Sequence, residues 1–156
     1  MIDNAIAEFV EGAVMTILAS RDQGFHPAIG RGVGTRRAAD GHLLDTMVSR
    51  AQWPDLIANL APGAPLAVTF VAPDDYRTFQ IKGVIEAVTP ASDGDRAFTH
   101  AYHRDIHRVL TALGVTEGQI GFWLTDADLW CLRYRPTDVF VQTPGPRAGT
   151  RLEQCP

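Results

Sequence analysis

Lysine is almost missing from this chain. Lys82 is the only one, and every other basic side chain is arginine. Arginine recognises phosphate and carboxylate through a rigid fork of donors, so the bias favours anion binding by arginine. Cysteine is scarce too: Cys131 and Cys155 stand far apart, and neither belongs to a C-x-x-C pair. That excludes a disulfide framework and a zinc-finger type site. Cys131 reads as a small buried residue and Cys155 as a loose one. No apolar run reaches the roughly 18 residues of a membrane span, and no basic segment leads into an apolar run at the start. The expectation is a cytoplasmic protein without a membrane segment. A formal net charge of −4 gives no overall support for nucleic acid as a partner.

Several catalytic signatures are also missing. There is no G-x-x-x-x-G-K-[ST] phosphate loop, no G-x-S-x-G elbow and no H-E-x-x-H metal motif. "GRGVGT" (30–35) falls short of G-x-G-x-x-G, and no helix pattern follows it. "TPGPRAGTR" (143–151) looks like a phosphate cradle, but Pro144 and Pro146 remove two amide donors. It reads as a stiff C-terminal arm, 143–156, laid over the body of the protein or a partner subunit, with Gln142, Arg147 or Arg151 near the site.

What remains is a chain of 156 residues, the size of one domain. Ile6, Phe9 and Val10 have helical spacing between a cap at Asp3 and a stop at Gly12. Three strands follow at 13–20, 27–37 and 42–49, with "RDQG" and "AADG" as turns. Trp53, Leu56, Ile57 and Leu60 mark a helix that starts near residue 52 or 53, because Pro54 fits only its first turn. Strands are expected at 66–72 and 76–89, the latter bent at Gly83. Ser92 and Asp95 open the longest helix, 92–114. "IGFWLTD", "DLWCLRYR" and "DVFVQT" read as three more short strands. Six or seven meandering strands with three helices predict a mainly β fold, an antiparallel barrel or sandwich with helices at its edge.

Four stretches carry chemistry. Gly30, Gly32 and Gly34 alternate with Arg31, Val33 and Thr35, leaving one face of the second strand bare. The bare face fits either a sharp barrel bend or the close approach of a flat ligand. Ser49 and Arg50 end a strand just before a helix, where they serve either as cap and surface charge or as an anion site. Thr78, Gln80 and Lys82 share the polar face of a strand. His100, His103 and His107 share one helix face, either solvated or metal-binding, with Arg96 in the same arc.

The order of these motifs resembles the pyridoxamine 5'-phosphate oxidase-like superfamily over roughly residues 10 to 150. The similarity rests on the glycine-arginine strand, the Ser-Arg junction, "YRTFQIKG" and "VFVQTPGPRAG". It implies a split β-barrel that binds FMN, usually as a homodimer with flavin at the subunit interface. The resemblance assigns the phosphate to Arg31, Arg36, Ser49 and Arg50. The ring would run along the second and third strands, past Val33, with Thr35, Thr78 and Gln80 at the ring or ribityl chain. The chain departs from the family at Ala51, where a lysine is usual, and at Arg77-Thr78, where an Arg-Gln pair is usual. The expected function is a flavin-dependent oxidoreductase of unspecified substrate. A flavin or haem module without turnover and a metal protein using the histidine helix are the other readings. No residue stands out as a catalytic acid or base.

Overall fold

Leu18, Val68, Phe70, Ile81 and Leu132 recur at every second position of their strands and are almost wholly buried. They fill the inside of a barrel. The structure is a computed structural model and describes residues 2–152. Its elements are α1 (Asn4–Glu11), β1 (Met15–Arg21), β2 (Pro27–Arg37), β3 (Leu44–Ser49), α2 (Pro54–Ala58), β4 (Pro65–Val71), β5 (Thr78–Pro90), α3 (Asp93–Ala112), α4 (Glu117–Trp123) and β6 (Leu129–Val141). The six strands close in the order β1-β2-β3-β6-β5-β4, and every neighbouring pair is antiparallel. The mainly β barrel with flanking helices is therefore as expected. Among the described residues, no helix is long and apolar enough to cross a membrane.

The expected caps form. Asp3 accepts from the Ala5 amide, and Ser92 and Asp95 bond each other reciprocally at the start of α3. Pro54 occupies the first turn of α2, which begins one residue later than expected because Trp53 takes the N-cap position. Leu56 and Ile57 then drop into the barrel mouth.

Two expectations fail. "IGFWLTD" is not a strand: residues 117–123 form α4. Thr116 accepts from the Gln119 amide, and the Gln119 side chain accepts from the Thr116 amide, closing a capping box. Only Ile120 of this helix is buried, whereas Phe122 is 79% exposed. The tail strands "DLWCLRYR" and "DVFVQT" are one continuous strand, β6. Pro136 does not break it, and it faces Gly83 where the β5–β6 register shifts. The irregularity expected at Gly83, a bulge or a bend, is this register shift.

The glycines of β2 do two different jobs. A Cβ on Gly30 would strike Trp53 and Leu56, and one on Gly32 would strike Thr16 and Thr46. Those two positions face inward and are filled by the protein itself. The register then shifts between Gly32 and Thr35. Beyond this bulge Gly34 faces outward, with φ +115° and a virtual Cβ 2.9 Å from Phe98. The three glycines thus do not share one bare face. Val33 also faces out, into a second core with Met47, Tyr102, Ile106 and Leu110 under α3. Burying each such aliphatic side chain is worth about 1.5–3 kcal/mol, which is what holds α3 on the barrel.

The C-terminal arm folds back on β6. The Gly149 amide donates to Val141 O at 2.8 Å and the Leu152 amide to Val139 O at 2.8 Å. Arg151 pairs with Asp138 at 2.6 Å, and Leu152 packs on the barrel core. Residues 153–156, with Cys155, lie outside the described residues.

Gly34→Ala is expected to cost about 1–3 kcal/mol, from left-handed strain plus the clash with Phe98. Gly41→Ala, at φ +72° in open space, carries the strain alone. Urea midpoints compare the two, and equal losses would show that packing against α3 does not require a glycine at 34.

Candidate functional site

Because Leu18, Val68 and Ile81 point into the barrel, their strand neighbours point out. The pairings Arg31↔Ile17, Ile17↔Thr69 and Thr69↔Gln80 set these residues in one row across four strands. With strands about 4.8 Å apart, the row runs about 14 Å from Arg31 to Gln80. Thr78 lies in the adjoining row, opposite Val71. This face is half-open, and a groove of about 380 Å³ runs beside it along Ala19, Ala67 and Lys82. On the other side of Arg31, the Gly32↔Val48 pairing places Ser49 one step along and next to it.

Arg31, Ser49 and Arg50 therefore meet at one corner. Arg31 is half-buried with its guanidinium 5.0 Å from the Trp123 ring centre. Its side chain makes no hydrogen bond or ion pair among the described residues. The Ser49 hydroxyl donates to Ala127 O at 2.6 Å and accepts from the Gln52 amide at 3.2 Å. Arg50 Nε donates to Asp128 Oδ2 at 2.7 Å, and its guanidinium lies 4.6 Å from the Trp130 ring centre. Ser49 thus closes the turn that leads into α2 but does not cap the helix, whose N-cap is Trp53 without a side-chain cap bond. The hydrogen bond from Arg50 holds the Asp128 carboxyl below the usual range. Ala51, at the position of the family's lysine, is exposed and brings no charge.

Gln80 and Thr78 stand across the row from this corner. Gln80 Nε2 donates to Thr69 Oγ1 at 3.2 Å, and the Thr78 hydroxyl donates to Tyr76 O at 2.8 Å. The other three expected residues lie beyond the bulge and have different surroundings. Val33 is 1% exposed beneath α3. The Thr35 hydroxyl is inside the barrel, 2.8 Å from that of Thr46, which also meets the Tyr134 hydroxyl. Arg36 is spent on Asp95 at 2.5 Å and lies 3.8 Å from Asp45.

The histidines of α3 diverge. His100 bonds Asp126 at 2.9 Å, and His107 lies 3.8 Å from Glu117. His103 Nε2 is buried without a hydrogen-bond partner, and burial pushes its pKa down. No group of three or more potential ligands for a metal ion converges among the described residues. Sequence reasoning missed Trp123, Asp128 and Trp130 at the corner. They lie more than 70 residues from Ser49, and no local pattern links them to it; only the Thr116–Gln119 capping box announced the helix that carries Trp123.

No protein-family model matches the chain, and no curated protein matches it. Solved structures do match it. An F420 reductase is 19% identical over 85% of this chain and 93% of its own, with TM-score 0.53. HupZ of Group A Streptococcus is 15% identical over 96% of this chain and 100% of its own, with TM-score 0.55. The chain has the split-barrel fold. An FMN-binding protein of Syntrophomonas wolfei subsp. wolfei shares it at 14% identity, over 88% of this chain and 86% of its own, with TM-score 0.51. The fold that the motifs implied is thus confirmed by split barrels whose sequences differ almost throughout.

Arg50→Ala is expected to return the Asp128 carboxyl upward toward the ordinary value of about 3.9. In the intact protein the depressed value means that the Arg50–Asp128 clasp is fully present above about pH 4 and is lost as pH falls through the folded-state value. Carboxyl NMR titration reads both; an unshifted Asp128 in the variant would mean that Arg50 is not its main partner.

Proposed function

We propose that this chain is an FMN-dependent oxidoreductase whose phosphate site is the Arg31–Ser49–Arg50 corner. The observation that carries this reading is Arg31. A half-buried guanidinium without a carboxylate or carbonyl partner is unfavourable unless an anion completes it. A hydroxyl and a second guanidinium stand beside it, a donor set that suits a phosphate monoester. The motif resemblance selects FMN among phosphate-bearing ligands, and a split barrel described as FMN-binding supports it.

In this reading Arg31 and Arg50 neutralise the phosphate and Ser49 donates to it. Gln80 and Thr78 offer polar groups to the rest of the cofactor along the open face. Val33, Thr35 and Arg36 act one layer back, by holding α3 and the barrel end in place. Bound flavin supplies hydride and electron transfer, which the protein's own side chains cannot perform. The row Arg31, Ile17, Thr69, Gln80 holds no carboxyl, imidazole or thiol. That same fact favours a second reading, a flavin-holding module without turnover.

A second copy of the chain is the proposed cover for the open face, where Ile17, Ala19, Ala67 and Thr69 leave apolar surface half-exposed. A reducing cytoplasmic setting suits the free, buried Cys131, whose thiol is pushed up to about 12 by burial.

Purified protein given excess FMN is expected to retain flavin and quench its fluorescence. Arg31→Ala is expected to weaken binding by about tenfold or more, the loss of a charge-assisted hydrogen bond. Protein that neither retains nor quenches flavin sinks the reading. Reduction by NADH or NADPH, with an electron acceptor present, separates an enzyme from a module. In ultracentrifugation, Ile17→Glu is expected to turn a dimer into a monomer; a dimer unaffected by this charge does not use the face.

A further inference from the structure

The donors that would hold a phosphate are already engaged by one short turn of this chain. Residues 125–128 lead from α4 into β6. The Ala127 carbonyl accepts from Ser49, and the Asp128 carboxylate accepts from Arg50. The Arg50 amide also donates to Asp128 O at 3.0 Å. Just before the turn, Gln52 Nε2 donates to Phe122 O at 2.5 Å, and the Trp123 ring lies over Arg31. The turn thus presents a carboxylate and carbonyl oxygens to the same donors that a phosphate monoester would use.

We infer that the 125–128 turn is an internal anion mimic that occupies the Arg50–Ser49 part of the corner and is displaced when a phosphate-bearing ligand binds. This rests on the phosphate reading of Arg31, Ser49 and Arg50. Three features make displacement feasible. Leu124 and Leu129 are buried at either end and anchor the turn, while Ala127 and Asp128 between them are exposed. The Arg50–Asp128 pair is about half-exposed, so water screens it, and the other carboxylate oxygen of Asp128 accepts from Trp130 Nε1 at 3.1 Å rather than from the corner. Asp128 sits at φ +47°, in the left-handed region that an aspartate tolerates but does not favour. A contact from His100 to Asp126 holds the other side of the turn, against α3 rather than against the corner.

The chemistry makes the exchange competitive. A phosphate dianion at Arg50 would repel the Asp128 carboxylate, so both cannot share the guanidinium. Removing the charge of Asp128 therefore helps the ligand, although it removes a native ion pair. The effect follows the phosphate and not the flavin ring.

Asp128→Asn keeps the size and the tolerance for positive φ. It is expected to tighten FMN binding by about three- to tenfold and to leave riboflavin binding unchanged. In the wild-type chain, FMN is expected to speed hydrogen exchange of the Arg50 amide, which loses its bond to Asp128. An FMN affinity that is unchanged or weaker in Asp128→Asn overturns the mimic and leaves the FMN reading intact. Should no variant bind FMN, that reading fails on its own, and inorganic phosphate decides the mimic. High phosphate, with ionic strength matched by chloride, then speeds Arg50 amide exchange if the turn is displaced. An unaltered rate overturns the proposal.

Discussion

A single extra residue in β2 decides which side of the barrel every later side chain of that strand serves. Gly32 faces inward against Thr16 and Thr46, while Gly34 faces outward against Phe98 and Tyr102 at φ +115°. Without the shift between Gly32 and Thr35, strict alternation would keep all odd-numbered residues on one face. With it, Thr35 enters the barrel to meet Thr46 and Arg36 turns out again toward Asp95, while Arg31, before the shift, keeps the outward side set by the regular ladder with β1. α3 can lie flat on the second half of the strand because glycine leaves room for Tyr102 there. The first half is left clear of α3, and there Arg31 meets Ser49 and the Trp123 ring of α4.

The charges follow the same division. Beyond the bulge, arginines are matched with carboxylates: Arg36 with Asp95, Arg37 with Glu11, and Arg133 with the buried Asp45 through two bonds of 2.7 and 2.9 Å. Asp45 is 1% exposed, and its buried charge is met by Arg133 at both oxygens and by Arg36 at 3.8 Å. Arg31 departs from this economy. Its guanidinium lies over the Trp123 indole ring, which stabilises a cation less than a counter-charge does. Among the described residues the half-buried Arg31 guanidinium thus differs from Arg36, Arg37 and Arg133, and the anion proposed for it would supply the missing counter-charge.

An F420 reductase, HupZ and an FMN-binding protein share this backbone at under 20% identity. A fold that hosts such different proteins does not itself choose a ligand. At the corner proposed as the phosphate site, α4 and the turn into β6 lie over the strand ends. The turn meets Ser49 and Arg50 with oxygen atoms, and α4 covers Arg31 with the Trp123 ring.

Much of the fold was legible because its signals are local. Asp3 and Ser92 announce their helices by caps, Pro54 marks a first turn, and the strands β1 to β5 show as separate apolar or alternating runs, although the β1–β4 and β3–β6 pairings that close the barrel do not. α4 escaped because its short apolar run, "IGFWL", suits either period; its Thr116–Gln119 capping box was the signal that pointed the right way. Pro136 suggested a break in β6, since whether a proline costs a ladder bond depends on the partner strand, and the partner bulges at Gly83. The residues of the corner were nameable from the sequence, but not their company. Chain order alone determined the strands, the caps and the arginine-rich chemistry, because each depends on neighbours within a turn or two. Tertiary structure decided which glycine faced in, which arginine went unpaired and what covered it. Those depend on contacts such as Ser49 with Ala127 and Arg36 with Asp95, between side chains that only barrel closure brings together.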